Sequence, residues 1–144
     1  MIRKAVNEDI NEIADIWLMS MRSAHYGFKD TYWTKQYKSI RHKYSQERSD
    51  VVVYEEGGAI LGFGAYIRDA GVVRIFVIPG FQKKGIGSAL LTYFEEHYEG
   101  CLCRCYRTCA PAVSFLQNRG YTRIERRNNV DSGQEEYVFR KGEA

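Results

Sequence analysis

The sequence predicts a single α/β domain on a mixed, largely antiparallel sheet, with parallel pairing at its centre and helices on both faces. Three observations carry that reading. Strand-like runs and segments with apolar residues at helical spacing follow one another in the order β-α-α-β-β-β-α-β-α-β-β. Glycine-containing turns join neighbouring strands in the first half, which calls for antiparallel hairpins. Two strand–helix–strand units in the second half call for parallel crossovers.

Residues 2–6 (Ile-Arg-Lys-Ala-Val) read as a short first strand. Asn7 follows as a helix cap, with Glu8 and Asp9 in a first turn whose backbone dipole favours negative charge. Ile10, Ile13, Ala14, Trp17 and Met21 mark one apolar face of the first helix. His25-Tyr26-Gly27-Phe28 breaks that pattern as a loop. A second helix is expected over 31–45, with Trp33, Tyr37, Ile40 and Tyr44 as a core-facing aromatic stripe.

Residues 51–56 form a strand, Gly57-Gly58 a hairpin turn, and 59–68 the returning strand. Asp69-Ala70-Gly71 turns the chain into a β-branched strand over 72–78, which Pro79 and Gly80 stop. Ile86, Ala89, Leu90, Tyr93, Phe94 and His97 mark the third helix, which ends near Gly100. A strand over 101–106 comes next, then a helix with Pro111 in its first turn, ended by Gly120. Strands over 121–127 and 135–140, joined by a turn, close the chain as a hairpin.

The chain has 144 residues and neither an internal repeat nor a linker-like tract, so residues 1–144 are read as one domain. A formal net charge of +3 is too small for the concentrated basic face of a nucleic-acid binder and suits a small anionic ligand. No apolar run is long enough to span a bilayer, and the first residues lack the apolar core of a secretion signal. The expected location is therefore cytoplasmic, with no nucleic-acid or membrane partner.

Cys101, Cys103, Cys105 and Cys109 fall in one segment. The first three alternate along one strand face, where they are poorly placed to bridge one another. No second Cys or His cluster offers converging ligands, so no metal is expected, and the thiols read as a reduced, partly buried strand face.

The chemistry-bearing stretch is Ile75-Phe76-Val77-Ile78-Pro79-Gly80-Phe81-Gln82-Lys83-Lys84-Gly85-Ile86-Gly87-Ser88-Ala89-Leu90-Leu91. A strand ends, a short basic loop follows, and two glycines open an amphipathic helix. The glycines let backbone approach a ligand without an intervening Cβ. Unpaired N–H groups at the helix start present the positive end of the dipole, a cradle for pyrophosphate. Two other phosphate loops fit worse. Lysine precedes the glycine pair instead of following it, and Leu90 stands where a dinucleotide fingerprint needs its third glycine.

Val77-Ile78-Pro79 followed by Gln82-Lys83-Lys84-Gly85-Ile86-Gly87 resembles the coenzyme A signature Q/R-x-x-G-x-G/A of the GCN5-related N-acetyltransferases. The element order of the whole chain is similar to that family's order. The resemblance implies acetyl-CoA as cosubstrate and direct transfer of its acetyl group, in a ternary complex, to a primary amine of a small molecule or protein. It also implies that the strand over 72–78 splays from its parallel neighbour and opens a V-shaped gap. Backbone groups of Ile75, Phe76 and Val77 would pair with the pantetheine arm there. Backbone N–H groups of Lys83, Lys84, Gly85, Ile86, Gly87 and Ser88 would hold the pyrophosphate, behind Gln82 at the head of the signature. The lysine side chains, solvated and screened, would contribute less.

The family's second pattern, N-x-x-A-x-x-F-Y-x-x-x-G-F, is matched in spacing by residues 109–121. Ala112, Phe115 and Gly120 agree and Tyr121 replaces the final Phe, which places Cys109 and Phe115 at the cofactor. Cys109 stands where the family often has an Asn that hydrogen-bonds the pantetheine. Leu116 stands where it often has the Tyr that protonates the leaving thiolate, and Leu has no proton to give. Because a thiolate leaves readily, losing that acid is expected to cost about 10²–10⁴-fold and not all activity.

The Val77 N–H is the candidate oxyanion donor. Tyr106, near the end of its strand, and His25, in the loop between the first two helices, are the candidate acid and base. Each has a plainer alternative, as a packed strand residue and a loop histidine respectively. A second reading of the whole chain is a non-catalytic acyl-CoA binding or sensing module of the same fold, which Leu116 favours. The acceptor and the oligomeric state, a homodimer included, are left open.

Overall fold

The computed structural model describes residues 1–24, 30–45, 48–81, 84–129 and 134–142. Among these, seven strands form one sheet: β1 (Ile2–Lys4), β2 (Ser49–Glu56), β3 (Ala59–Ile67), β4 (Val72–Val77), β5 (Leu102–Tyr106), β6 (Tyr121–Asn128) and β7 (Glu135–Lys141). The helices are α1 (Ile10–Ala24), α2 (Asp30–Lys43), α3 (Ile86–His97) and α4 (Ala110–Asn118). None is long and apolar enough to cross a membrane. Every expected element is present, with ends shifted by one to three residues.

The spatial order is β1-β2-β3-β4-β5-β7-β6, antiparallel except between β4 and β5. Only the first of the two expected crossovers joins adjacent strands. After α4 the chain skips a place, and β7 returns to fill it. Composition explains the choice. β6 (Tyr-Thr-Arg-Ile-Glu-Arg-Arg-Asn) is exposed from Thr122 onward, whereas β7 buries Glu136, Val138 and Phe139. A charged strand belongs at the sheet edge, where it also discourages pairing with other chains.

Two cores hold the layers. Trp17 and Met21 of α1 pack with Ile40 and Tyr44 on Val53, Phe63 and Phe76. On the opposite face Leu90, Leu91 and Phe94 of α3 pack on Val73, Cys103 and Phe139. Cys101, Cys103 and Cys105 are free and buried on that second face, and burial pushes the Cys105 thiol up to about 12. Gly64 makes the seat for α3, since a Cβ there would lie 2.5 Å from the Phe94 ring.

The first helix begins differently from the expected Asn7 cap. Asn7–Asp9 form a 3₁₀ turn, and Asp9 reaches back to accept the Val6 N–H at 2.8 Å. Arg3 donates to both Asp9 oxygens at 2.8 and 3.1 Å and to Glu55 at 2.8 Å, tying β1 and β2 to the turn. The Arg3 hydrogen bond holds the Asp9 carboxyl below the usual carboxylate range. A depressed folded-state pKa gives stability that is complete above the unfolded value and lost as pH falls through the folded one. Asp9→Ala should therefore lower stability at pH 7 by about 1–3 kcal/mol in urea unfolding. The gap between variant and wild type should close as pH drops below about 4.

Candidate active site

The sheet parts at its one parallel seam. β4 and β5 are paired only at Val72↔Leu102 and Val73↔Cys103, although β4 runs to Val77 and β5 to Tyr106. Beyond Val73 the two strands leave a gap between them.

Which β4 groups face that gap follows from the register with β3. The Ile78 N–H donates to the Leu61 carbonyl at 2.9 Å, and Gly62 and Gly64 lie opposite Val77 and Ile75. Bonded and non-bonded pairs alternate in an antiparallel ladder, so Phe76 turns its main chain to β3 while Ile75 and Val77 turn theirs to the gap. Of the three residues expected to pair with the arm, Ile75 and Val77 thus turn their main chain to the gap and Phe76 turns its own to β3. The Phe76 ring packs in the first core, stacked on Phe63 at 4.9 Å.

The hydroxyl of Ser20 on α1 donates to the Val77 carbonyl at 3.2 Å. This replaces the partner that the splay removes. Among the described residues the Val77 N–H has no such partner and opens into the gap.

The start of α3 lies beside this mouth. Gly85 is the N-cap at φ +84°, a left-handed conformation that suits glycine, and no side chain caps the helix. The Ala89 N–H bonds to the Gly85 carbonyl at 3.0 Å, leaving those of Ile86, Gly87 and Ser88 unpaired within the helix. Its first turn carries no acidic residue. A Cβ on Gly87 would sit 3.6 Å from the Phe115 ring and 3.9 Å from Val77 Cγ2. The β4 end, the α3 start and α4 therefore converge, as the two motifs require. Uncapped N–H groups in a glycine-lined recess fit an anionic pyrophosphate. Lys84 is exposed, its ammonium 5.2 Å from the Phe81 ring centroid.

Cys109 is half-buried against the first core, and burial pushes its thiol up. That disfavours a reactive thiolate. Leu116 is 6% exposed in the second core. Tyr106 is equally buried on the α1–α2 face, past the last β4–β5 pair and opposite Glu136 in the β5–β7 register. His25, Gln82, Lys83, the side chain of Trp33 and the turn at 130–133 lie outside the described residues.

A polar group absent from the sequence reading lies on the same face as Tyr106. Arg74 on β4 reaches across β5 to Glu136 on β7 at 3.4 Å, and Asn129 donates to the other Glu136 oxygen at 2.9 Å. Arg74 is 8% and Glu136 1% exposed. Burial pushes the neighbouring Tyr44 hydroxyl up to about 12, partly offset by Arg74, so it stays protonated. The one available signal was an arginine inside Val72-Val73-Arg74-Ile75-Phe76-Val77, an otherwise apolar central strand.

The architecture is shared with solved structures. Apo YjaB from Escherichia coli superposes with a TM-score of 0.84 at 18% identity, covering 100% of this chain and 98% of that one. PaiA N-acetyltransferase from Thermoplasma acidophilum, solved in complex with coenzyme A, gives 0.77 at 20% identity, covering 98% and 97%. Residues 12–133 match the family described as acetyltransferase (GNAT) domain. Peptidyl-lysine N-acetyltransferase YiaC of E. coli K12 is 30% identical over 121 residues, 84% of this chain and 82% of YiaC. These matches define the class: the protein is an acetyl-CoA-dependent acyltransferase. More narrowly, the chain belongs to the GNAT acetyltransferase family.

Proposed function

We propose that this protein acts as a single cytoplasmic domain that moves the acetyl group of acetyl-CoA to a primary amine, by direct transfer in a ternary complex at the β4–β5 gap. The carrying observation is that the main-chain groups of Ile75 and Val77 open onto the gap beside the uncapped start of α3. Ile75 receives the amide-bearing arm as an added strand partner, while the Val77 N–H, its carbonyl already held by Ser20, is left for the thioester end. The N–H groups of Ile86, Gly87 and Ser88, with the loop from Gln82 to Gly85, take the pyrophosphate, and Phe115 and Cys109 line the arm.

The neutral amine attacks the thioester carbonyl, a C–N bond forms, the C–S bond breaks, and the thiolate takes up a proton. The Val77 N–H meets the developing oxyanion, a contact worth about 2.7–4 kcal/mol where such donors have been removed. Leu116 supplies no proton, so Tyr106 protonates the thiolate and His25 takes the proton from the amine.

Coenzyme A release across a panel of amines, including a lysine peptide, tests the transfer. Saturable thermal stabilisation by acetyl-CoA tests binding; its absence, with no turnover, would sink the reading. Tyr106→Phe should lower kcat by about 10²–10⁴-fold with acetyl-CoA stabilisation retained, and His25→Ala should remove the acidic limb of the kcat profile. Unchanged kcat in either variant dismisses that residue.

A further inference from the structure

Both strands that frame the gap carry an arginine where they part. Arg74 follows Val73, and Arg104 follows Cys103, the last pair of the parallel seam. Val73 and Cys103 belong to the core under α3, so alternation turns both arginines to the α1–α2 face, with Phe76 and Tyr106.

The Arg74 guanidinium is nine-tenths buried, and its ion pair with Glu136 is long. Nε of Arg74 and Nε of Arg104 are both buried without a hydrogen-bond partner. Arg104 is half-buried and forms no ion pair among the described residues. Burial disfavours its charge, and of the carboxylates that act on it Glu136 comes first and is the buried one. Two guanidinium groups, one buried and one half-buried, thus face one buried carboxylate, and each keeps an Nε donor without a partner among the described residues. Unused donors of that kind are rare in folded proteins and expensive to leave dry.

We propose that Arg74 and Arg104 form a carboxylate-binding subsite at the vertex of the gap, making the acceptor a small amino-carboxylate and not a peptidyl lysine. The proposal rests on the transfer reaction above. A carboxylate is planar and matches the guanidinium fork, and its single negative charge neutralises the group. At 8% exposure Arg74 can be reached only by a slender group and not by the bulk of a folded protein. Arg74 and Val77 are three residues apart, about 10 Å along the strand, so a carboxylate at the vertex needs a spacer to bring its amine to the mouth. Linear ω-amino acids of four to six carbons fit better than glycine.

The test compares 5-aminopentanoate with its methyl ester under saturating acetyl-CoA, using wild type and Arg104→Gln. Arg104 is chosen because it holds no ion pair among the described residues, so its loss strands no buried charge; a thermal melt checks folding. In the wild type the acid should exceed the ester in kcat/KM by 10- to 100-fold, mainly through KM, by analogy with other charge-assisted contacts. Arg104→Gln should bring the two together by weakening the acid. Equal use of acid and ester by the wild type overturns the subsite, and so does an equal loss for both in the variant.

Pentanoate, which lacks the amine, gives a readout without turnover. It should stabilise the wild type saturably and Arg104→Gln far less. Failure of acetyl-CoA to bind would count against the transfer reaction; failure of pentanoate to stabilise counts against the subsite alone.

Discussion

Gly87→Glu should abolish the thermal stabilisation given by acetyl-CoA while leaving a domain that melts cooperatively. The backbone tolerates the change: a Cβ at Gly87 meets the Phe115 ring at 3.6 Å, an ordinary contact. A carboxylate in the first turn of a helix is itself mildly favourable, so the free protein should lose no more than about 1 kcal/mol. The ligand fares differently. The new carboxylate competes for the unpaired N–H groups of α3 and sets negative charge where the pyrophosphate must lie. At a hundred times its Kd, a ligand stabilises by about 2.7 kcal/mol, a shift of several degrees for a domain of this size. That shift should fall to near zero. If it survives, the α3 start is not the phosphate cradle.

Arg74→Met should be the most destabilising single substitution among the charged residues described above. It removes the ion-pair partner of Glu136 and leaves a carboxylate at 1% exposure with Asn129 as its remaining hydrogen-bond donor among the described residues. Stranding one member of a buried pair costs about 3–5 kcal/mol. Removing both charges, as in Arg74→Met with Glu136→Leu, should recover most of that loss, because the desolvation of each ion vanishes with it. Urea unfolding of the two singles and the double closes the cycle. A loss below about 1 kcal/mol for Arg74→Met would mean that water reaches Glu136.

What was legible in the sequence was local. The uncapped helix start at Gly85 and Gly87 announced itself through composition, and the strand before it through β-branched residues and a terminating proline. The place of β7 was not legible in the same way, because a hairpin signal says that two strands pair and is silent on which side the later one falls. The charge on β6 against the apolar face of β7 was the available clue. The Asn7 cap failed because Asp9, two residues on, offers the Val6 N–H an ionised acceptor already fixed by Arg3. Phe76 was grouped with Ile75 and Val77 because backbone direction depends on a register with β3. Arg74 and Glu136 lie 62 residues apart and meet only because β5 lies between their strands. No spacing rule covers such a pair.

One bond has a reach beyond its own length. The Ser20 hydroxyl grips the carbonyl of Val77, so a helix that covers the proposed acceptor side holds the strand that serves the donor. Two ligands seated on either side of a shared fastening become thermodynamically linked when either one shifts it. Any amine that draws α1 closer changes the affinity for acetyl-CoA by a factor, and acetyl-CoA changes the affinity for that amine by the same factor. Because the factor is the same in both directions, an acceptor that tightens acetyl-CoA binding through this bond is itself held more tightly once acetyl-CoA is in place.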